Sequence, residues 1–95
     1  SWAGLIIQEN ADPDVLADLS RWFDRAAPQD NALYTHTFEG KDDMPAHIRT
    51  VLTNVSLNIP VANGRPALGT WQAVYLCEHR NRAHVRHVVL HLIGE

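Results

Sequence analysis

The stretch WAGLIIQENADPDVLADLSRWF, Trp2–Phe23, decides the fold, because it changes hydrophobic period once, near Asp12. Trp2 to Gln8 is apolar at successive positions, which predicts a strand buried on both faces. Asp12 then suits a helix N-cap, since its carboxylate can accept an orphan backbone N–H. Pro13 suits the first helical position, where no N–H is needed. Val15, Leu16, Leu19, Trp22 and Phe23 recur at helical spacing as an apolar stripe. Pro28 ends the helix and opens a loop to Ala32. A strand feeding a helix of this kind builds a layered domain, with helix packed on sheet.

Downstream, Leu33 to Phe38 is predicted as a short strand, followed by a turn at Glu39-Gly40-Lys41. Asp42 or Asp43 then caps a second helix from about Pro45 to Leu52, with Ile48, Val51 and Leu52 inward. Ser56 to Val61 alternates as a strand, with Pro60 marking an edge or an end. Asn63-Gly64 is the strongest hairpin signal in the chain. Gly69 to Glu78 is a strand with Trp71, Ala73, Tyr75 and Cys77 on one face and Gln72, Val74, Leu76 and Glu78 on the other. A polar turn at 79–84 leads to a last strand, Val85 to Ile93. Short turns between these runs predict an antiparallel meander. The fold class is α+β: a mostly antiparallel sheet or sandwich layer with two short helices.

Ninety-five residues make one domain, 1–95, with room for a single core. The net charge of −3 argues against general nucleic-acid binding, which needs a basic surface. A single cysteine forbids an internal disulfide, so a reducing, cytoplasmic setting is the simplest expectation. No apolar run reaches the roughly 20 residues of a membrane helix. An apolar strand starting directly after Ser1, without an initiator methionine, reads as the middle of a longer chain.

Chemistry can reside in few places. There is no glycine-rich phosphate loop and no Gly-x-Ser-x-Gly elbow. Cys77 alternates with aromatics on a strand and reads as a packed thiol. Of six histidines, His79 and His84 flank the polar turn and are expected in solvent. His87 and His91 lie on one strand face about 13–14 Å apart, too far for one metal. His36 and His47 differ, because both neighbour the acids Glu39, Asp42 and Asp43. Two imidazoles with a carboxylate could ligate a transition metal, though the spacing matches no fixed motif. A plainer reading has the two acids capping a helix and His47 facing water. The segment Gln8–Asp12 is a second polar candidate, since capping explains Asp12 but not Glu9 or Asn10. Gln72, among apolar neighbours on its face, needs a hydrogen-bond partner if buried.

Taken together, Gln8-Glu9-Asn10-Ala11-Asp12-Pro13-Asp14-Val15, Tyr34-Thr35-His36, Asp42-Asp43-Met44-Pro45-Ala46-His47-Ile48, Ser56-Leu57-Asn58-Ile59-Pro60-Val61, Leu68-Gly69-Thr70-Trp71-Gln72 and the closing Val88–Glu95 resemble the YjbQ family. The resemblance runs in order along essentially the whole chain. It implies an α+β fold assembled as a homotrimer, with a histidine-lined pocket for a metal ion, zinc or magnesium, or for phosphate or sulfate. It implies a secondary thiamine-phosphate synthase: hydroxymethylpyrimidine diphosphate is joined to a thiazole phosphate and diphosphate is released, as a weak or side activity. The alternative is a non-catalytic trimer that binds a metal or a small phosphorylated ligand. Carried over residue by residue, the resemblance makes Glu9, His36 and His47 catalytic, with His36 and His47 as metal ligands. Asn10, Asp42, Asp43, Gly69 and Gln72 become substrate-binding. A further histidine of that pocket is expected in a His-Thr-Ser-like motif of which only Ser1 is present. Asn54 departs from the family where many members carry glycine, and Cys77 where some carry an aromatic.

Overall fold

The computed structural model describes residues 2–94. Strand β1 (Ala3–Glu9) leads into helix α1 (Pro13–Ala26), a 3-10 turn at Asn31–Leu33 and helix α2 (Asp43–Leu52). A two-residue hairpin, β2 (Val61–Ala62) and β3 (Arg65–Pro66), precedes β4 (Gln72–Glu78). β1 and β4 pair antiparallel from Ala3↔Glu78 to Glu9↔Gln72. The class is α+β, as expected.

The local chemistry at the start of α1 behaves as the sequence requires. Asp12 accepts the N–H of Asp14 at 2.9 Å, and Pro13 opens the helix. Leu16, Leu19 and Phe23 face Ile6 and Cys77 of the sheet across a cleft of about 170 Å³. The Asn63-Gly64 hairpin forms, with φ of 53° and 73°, the left-handed pair that an Asn-Gly turn accommodates. Gly4 is fixed by close approach: a Cβ there would stand 2.0 Å from Thr53 Oγ1. Leu5 exchanges both backbone hydrogen bonds with Asn54, so the chain leaving α2 meets the free edge of β1. Asn54 needs no glycine, because Asn63 is the only non-glycine with positive φ among the described residues.

Several expected elements differ. Leu33 to Phe38 is not a strand: the 3-10 turn takes its start, capped by Asp30, which accepts the Ala32 N–H at 3.0 Å. Ser56 to Val61 contributes only Val61 to a strand. Val85 to Ile93 has no ladder partner among the described residues. The expected meander is replaced by one long-range pair, because β4 finds its partner in β1 at the far end of the chain. Val51 is 83% exposed and Leu52 also stands out, so α2 buries Asp43, Pro45 and Ala46 rather than its apolar C-terminal turn.

Candidate metal centre

The site grows from the start of α2. Asp43 is its first residue and His47 lies four residues on, which places both on one helix face. Gly40, at φ +106°, reverses the chain just before the helix and sets Glu39 beside it. His36 arrives from the loop after the 3-10 turn. The His36 Nε2 lies 2.8 Å from Asp43 Oδ2, and His47 Nε2 lies 3.2 Å from the same oxygen. Glu39 Oε2 is 3.6 Å from His36 Nε2. The imidazoles meet edge to face, 5.5 Å between centroids. One donor atom from each of His36, Glu39, Asp43 and His47 falls within 4.8 Å of all the others. Asp43 is fully buried at the base, while the two imidazoles are about half exposed at the mouth.

The acids do not cap the helix as expected. Asp42 occupies the N-cap position in helical conformation and makes no capping hydrogen bond. Its carboxylate turns instead to Arg80 Nε at 2.9 Å and to the Asn81 N–H at 2.8 Å. The other Asp43 oxygen, Oδ1, accepts from Arg80 Nη1 at 2.9 Å. Arg80 Nη2 donates to the Glu39 carbonyl at 2.9 Å, and the guanidinium lies over the Trp2 ring, 4.4 Å from its centroid. The Arg80 hydrogen bond, with help from the Asn81 N–H, holds the Asp42 carboxyl below its usual range. At Asp43 burial pushes the pKa up, but hydrogen bonding with the His36 and Glu39 side chains, and then the charges of His47 and Arg80, outweigh it, so the net shift is downward.

Sequence spacing gives no hint of Arg80 at this site. It lies 37 residues beyond Asp43 in the chain, and only the fold joins them. Arg49 is used elsewhere, bonded to Asp24 at 2.9 Å and placed over the Phe23 ring. His79 is a second surprise. It is 5% exposed rather than solvated, and burial depresses its pKa. Thr53 gives its proton to the Arg49 carbonyl at 2.9 Å, so His79 Nε2 is the donor in their 3.1 Å contact. His84 is half-buried against the Trp2 ring, and His87 and His91 are exposed.

Glu9, Asn10, Gly69 and Gln72 do not join this group. Glu9 pairs with Gln72, and the Asn10 N–H donates to the Trp71 carbonyl at 2.7 Å. Exposed Gln72 satisfies itself locally, its Oε1 accepting the Gly69 N–H at 2.7 Å. This cluster sits at one end of the β1–β4 ladder, and Arg80 follows the other end, at Glu78. The length of the ladder separates the two, about 20 Å at strand rise. The single pocket expected from the resemblance is therefore two separate groups within one chain.

Fold and site thus define a class: a small α+β domain with a histidine–carboxylate cluster at the start of a helix. A family described as "UPF0047 protein YjbQ-like" matches residues 1–95. A UPF0047 protein of Synechocystis sp. is 59% identical over 93 residues, covering 98% of this chain and 63% of that protein. YjbQ of Salmonella typhimurium is 48% identical over 93 residues, covering 98% of this chain and 67% of its own length. Among solved structures, a YjbQ/UPF0047 protein of Clostridium acetobutylicum is similar at TM-score 0.73 and 38% identity, covering 83% of this chain and 58% of that one. A conserved hypothetical protein of Thermus thermophilus is similar at TM-score 0.73 and 36% identity, covering 84% of this chain and 61% of that one. This chain belongs to the YjbQ/UPF0047 family, and it spans a little under two thirds of the Synechocystis relative.

Proposed function

We propose that His36, Glu39, Asp43 and His47 hold a divalent transition-metal ion and that this centre engages the phosphate groups of a small molecule. The observation that carries the reading is the convergence of four donor atoms within 4.8 Å. The donors fit such an ion chemically. Two imidazoles with two carboxylates suit zinc or a neighbouring transition metal better than magnesium, which prefers oxygen and keeps its water. His36 Nε2 is hydrogen-bonded to Asp43 Oδ2 at 2.8 Å, and a carboxylate only accepts, so that nitrogen carries the proton when no ion is bound. An ion would displace that proton and use the freed lone pair.

The reaction proposed is that of a secondary thiamine-phosphate synthase, as a weak or side activity. When bound, the ion would supply positive charge against a departing diphosphate. Within the chain, buried Asp43 orients both rings from below, and half-exposed His36 and His47 present the donors at the mouth. Glu9, Asn10, Gly69 and Gln72 take part in this reading only if a second copy brings them to the donors. The proposed homotrimer would supply such copies, and the exposed Val74, Leu76 and Val88 support its burying an apolar face. The non-catalytic alternative draws on the same donors, which include no nucleophile.

Metal analysis and zinc titration of the purified protein, alongside His47→Ala, test the site. Zinc bound at one equivalent and lost in the variant is expected; equal binding by the variant removes the basis for this centre. Formation of thiamine phosphate from the two phosphorylated precursors, abolished in His47→Ala, is expected of the enzyme. Zinc binding without turnover leaves the binding protein.

A further inference from the structure

Helix α2 starts against local rules. An aspartate at the N-cap normally turns its carboxylate onto the first free N–H groups. Asp42 forgoes that bond. A guanidinium stands instead beside the helix's positive end, where the dipole disfavours a cation. Both departures share one explanation, because Arg80 binds three groups that the donor cluster needs in place. It holds Asp43 Oδ1 and so leaves Oδ2 facing the two imidazoles. It takes the Glu39 carbonyl and so fixes the turn that carries the Glu39 side chain. It is itself fixed by Asp42 and by the Trp2 ring beneath it.

We infer that Arg80 is a positioning residue for the metal centre, clamping Asp43 as a ligand through one oxygen and locking the Glu39 turn against it. This rests on the proposed metal reading. The Arg80 guanidinium donates to Asp42, to Asp43 Oδ1 and to the Glu39 carbonyl, so it acts on the donors through Asp43 and Glu39. Its fork geometry matters more than its charge, since a lysine at the same place could not span Asp42, Asp43 and the Glu39 carbonyl at once. Partners that orient metal ligands in this way typically change affinity about 10–100-fold when removed.

The test is zinc titration calorimetry of the purified protein and of Arg80→Lys, with folding checked by circular dichroism in chelator. Arg86→Lys serves as a control, because Arg86 makes a comparable double contact with Glu78 away from the donors. The expected result is a zinc Kd raised about 10–100-fold in Arg80→Lys and unchanged in Arg86→Lys. Bound cobalt(II) should show an altered visible spectrum in the first variant only. Should Arg80→Lys not fold, Asp42→Asn loosens Arg80 without touching a donor and should raise the Kd in the same direction by a smaller factor. Unchanged zinc affinity in the folded Arg80 variant, or in Asp42→Asn where that variant decides, overturns the clamp and leaves the metal reading standing. Absence of zinc binding in the unaltered protein overturns both.

Discussion

Gly4 and His79 show how tightly single residues are set around the site's foundation. A methyl group at Gly4 would run into Thr53 Oγ1 and Cβ, at 2.0 and 2.7 Å, and come within 3.0 Å of His79 Nε2. Backbone and ring would both have to shift, so Gly4→Ala is expected to cost about 1–3 kcal/mol. In a domain this small each kcal/mol lowers Tm by about 4–8 °C, readable in a thermal melt. His79 adds a pH dependence. Burial lowers its folded pKa below the ordinary 6.5, so the unfolded chain binds the extra proton. Its contribution to stability is complete above about pH 6.5 and is lost as pH falls through the depressed folded value. Asp42 and Glu78 are lowered from 3.8 and 4.5, each chiefly by an arginine hydrogen bond, and lose their contributions only at lower pH. Melts across pH should therefore show a first decline below about pH 6.5 and a second below about 4.5. His79→Gln should remove the first; a first decline that survives intact would assign it elsewhere.

At the scale of elements, legibility followed the range of the interactions. β1, α1 and the Asn63-Gly64 hairpin were readable because Asp12-Pro13, the i, i+3, i+4 stripe and an Asn-Gly turn act within a few residues. The pairing of β1 with β4 was not readable, because register between Ala3 and Glu78 is set by tertiary packing. Alternation at Val85–Ile93 looked like a strand, yet alternation only prepares a segment for a ladder that some partner must complete. Half of the site was legible for the same reason. His36, His47 and Asp43 are near neighbours in sequence, whereas Arg80 reaches them only through the end of β4 and the turn after it. Glu9 was grouped with them by resemblance, and strand rise separates them. Amide exchange should report this division: slow exchange along Leu5–Ile7 and Val74–Leu76, and fast exchange through 85–93 unless another chain covers it. Equally slow exchange in a monomer at 85–93 would mean that the segment is ordered by its own chain.

The whole molecule exposes more surface than its size warrants. Its accessible area is 7372 Å², where about 5,500 Å² is usual for a monomer of this mass. Much of the apolar exposure lies on one side, where Val74, Leu76, Val85 and Val88 line an open groove of about 680 Å³. No helix among the described residues is long and apolar enough to cross a membrane. The excess fits association through an apolar face, and light scattering should give three times the 10.7 kDa chain mass. The acid–histidine contacts lie within one chain, so that mass should not change between about pH 6 and 8, where imidazoles titrate. A monomer, or a mass that collapses over this range, would count against an apolar trimer. The most direct measurement concerns the metal itself: X-ray absorption at the zinc edge of the loaded protein. Two imidazole nitrogens at about 2.0–2.1 Å with oxygen completing the shell is the expected spectrum, falling to one imidazole in His36→Ala. A shell without histidine, or one unaltered by that substitution, would contradict a centre built on His36 and His47.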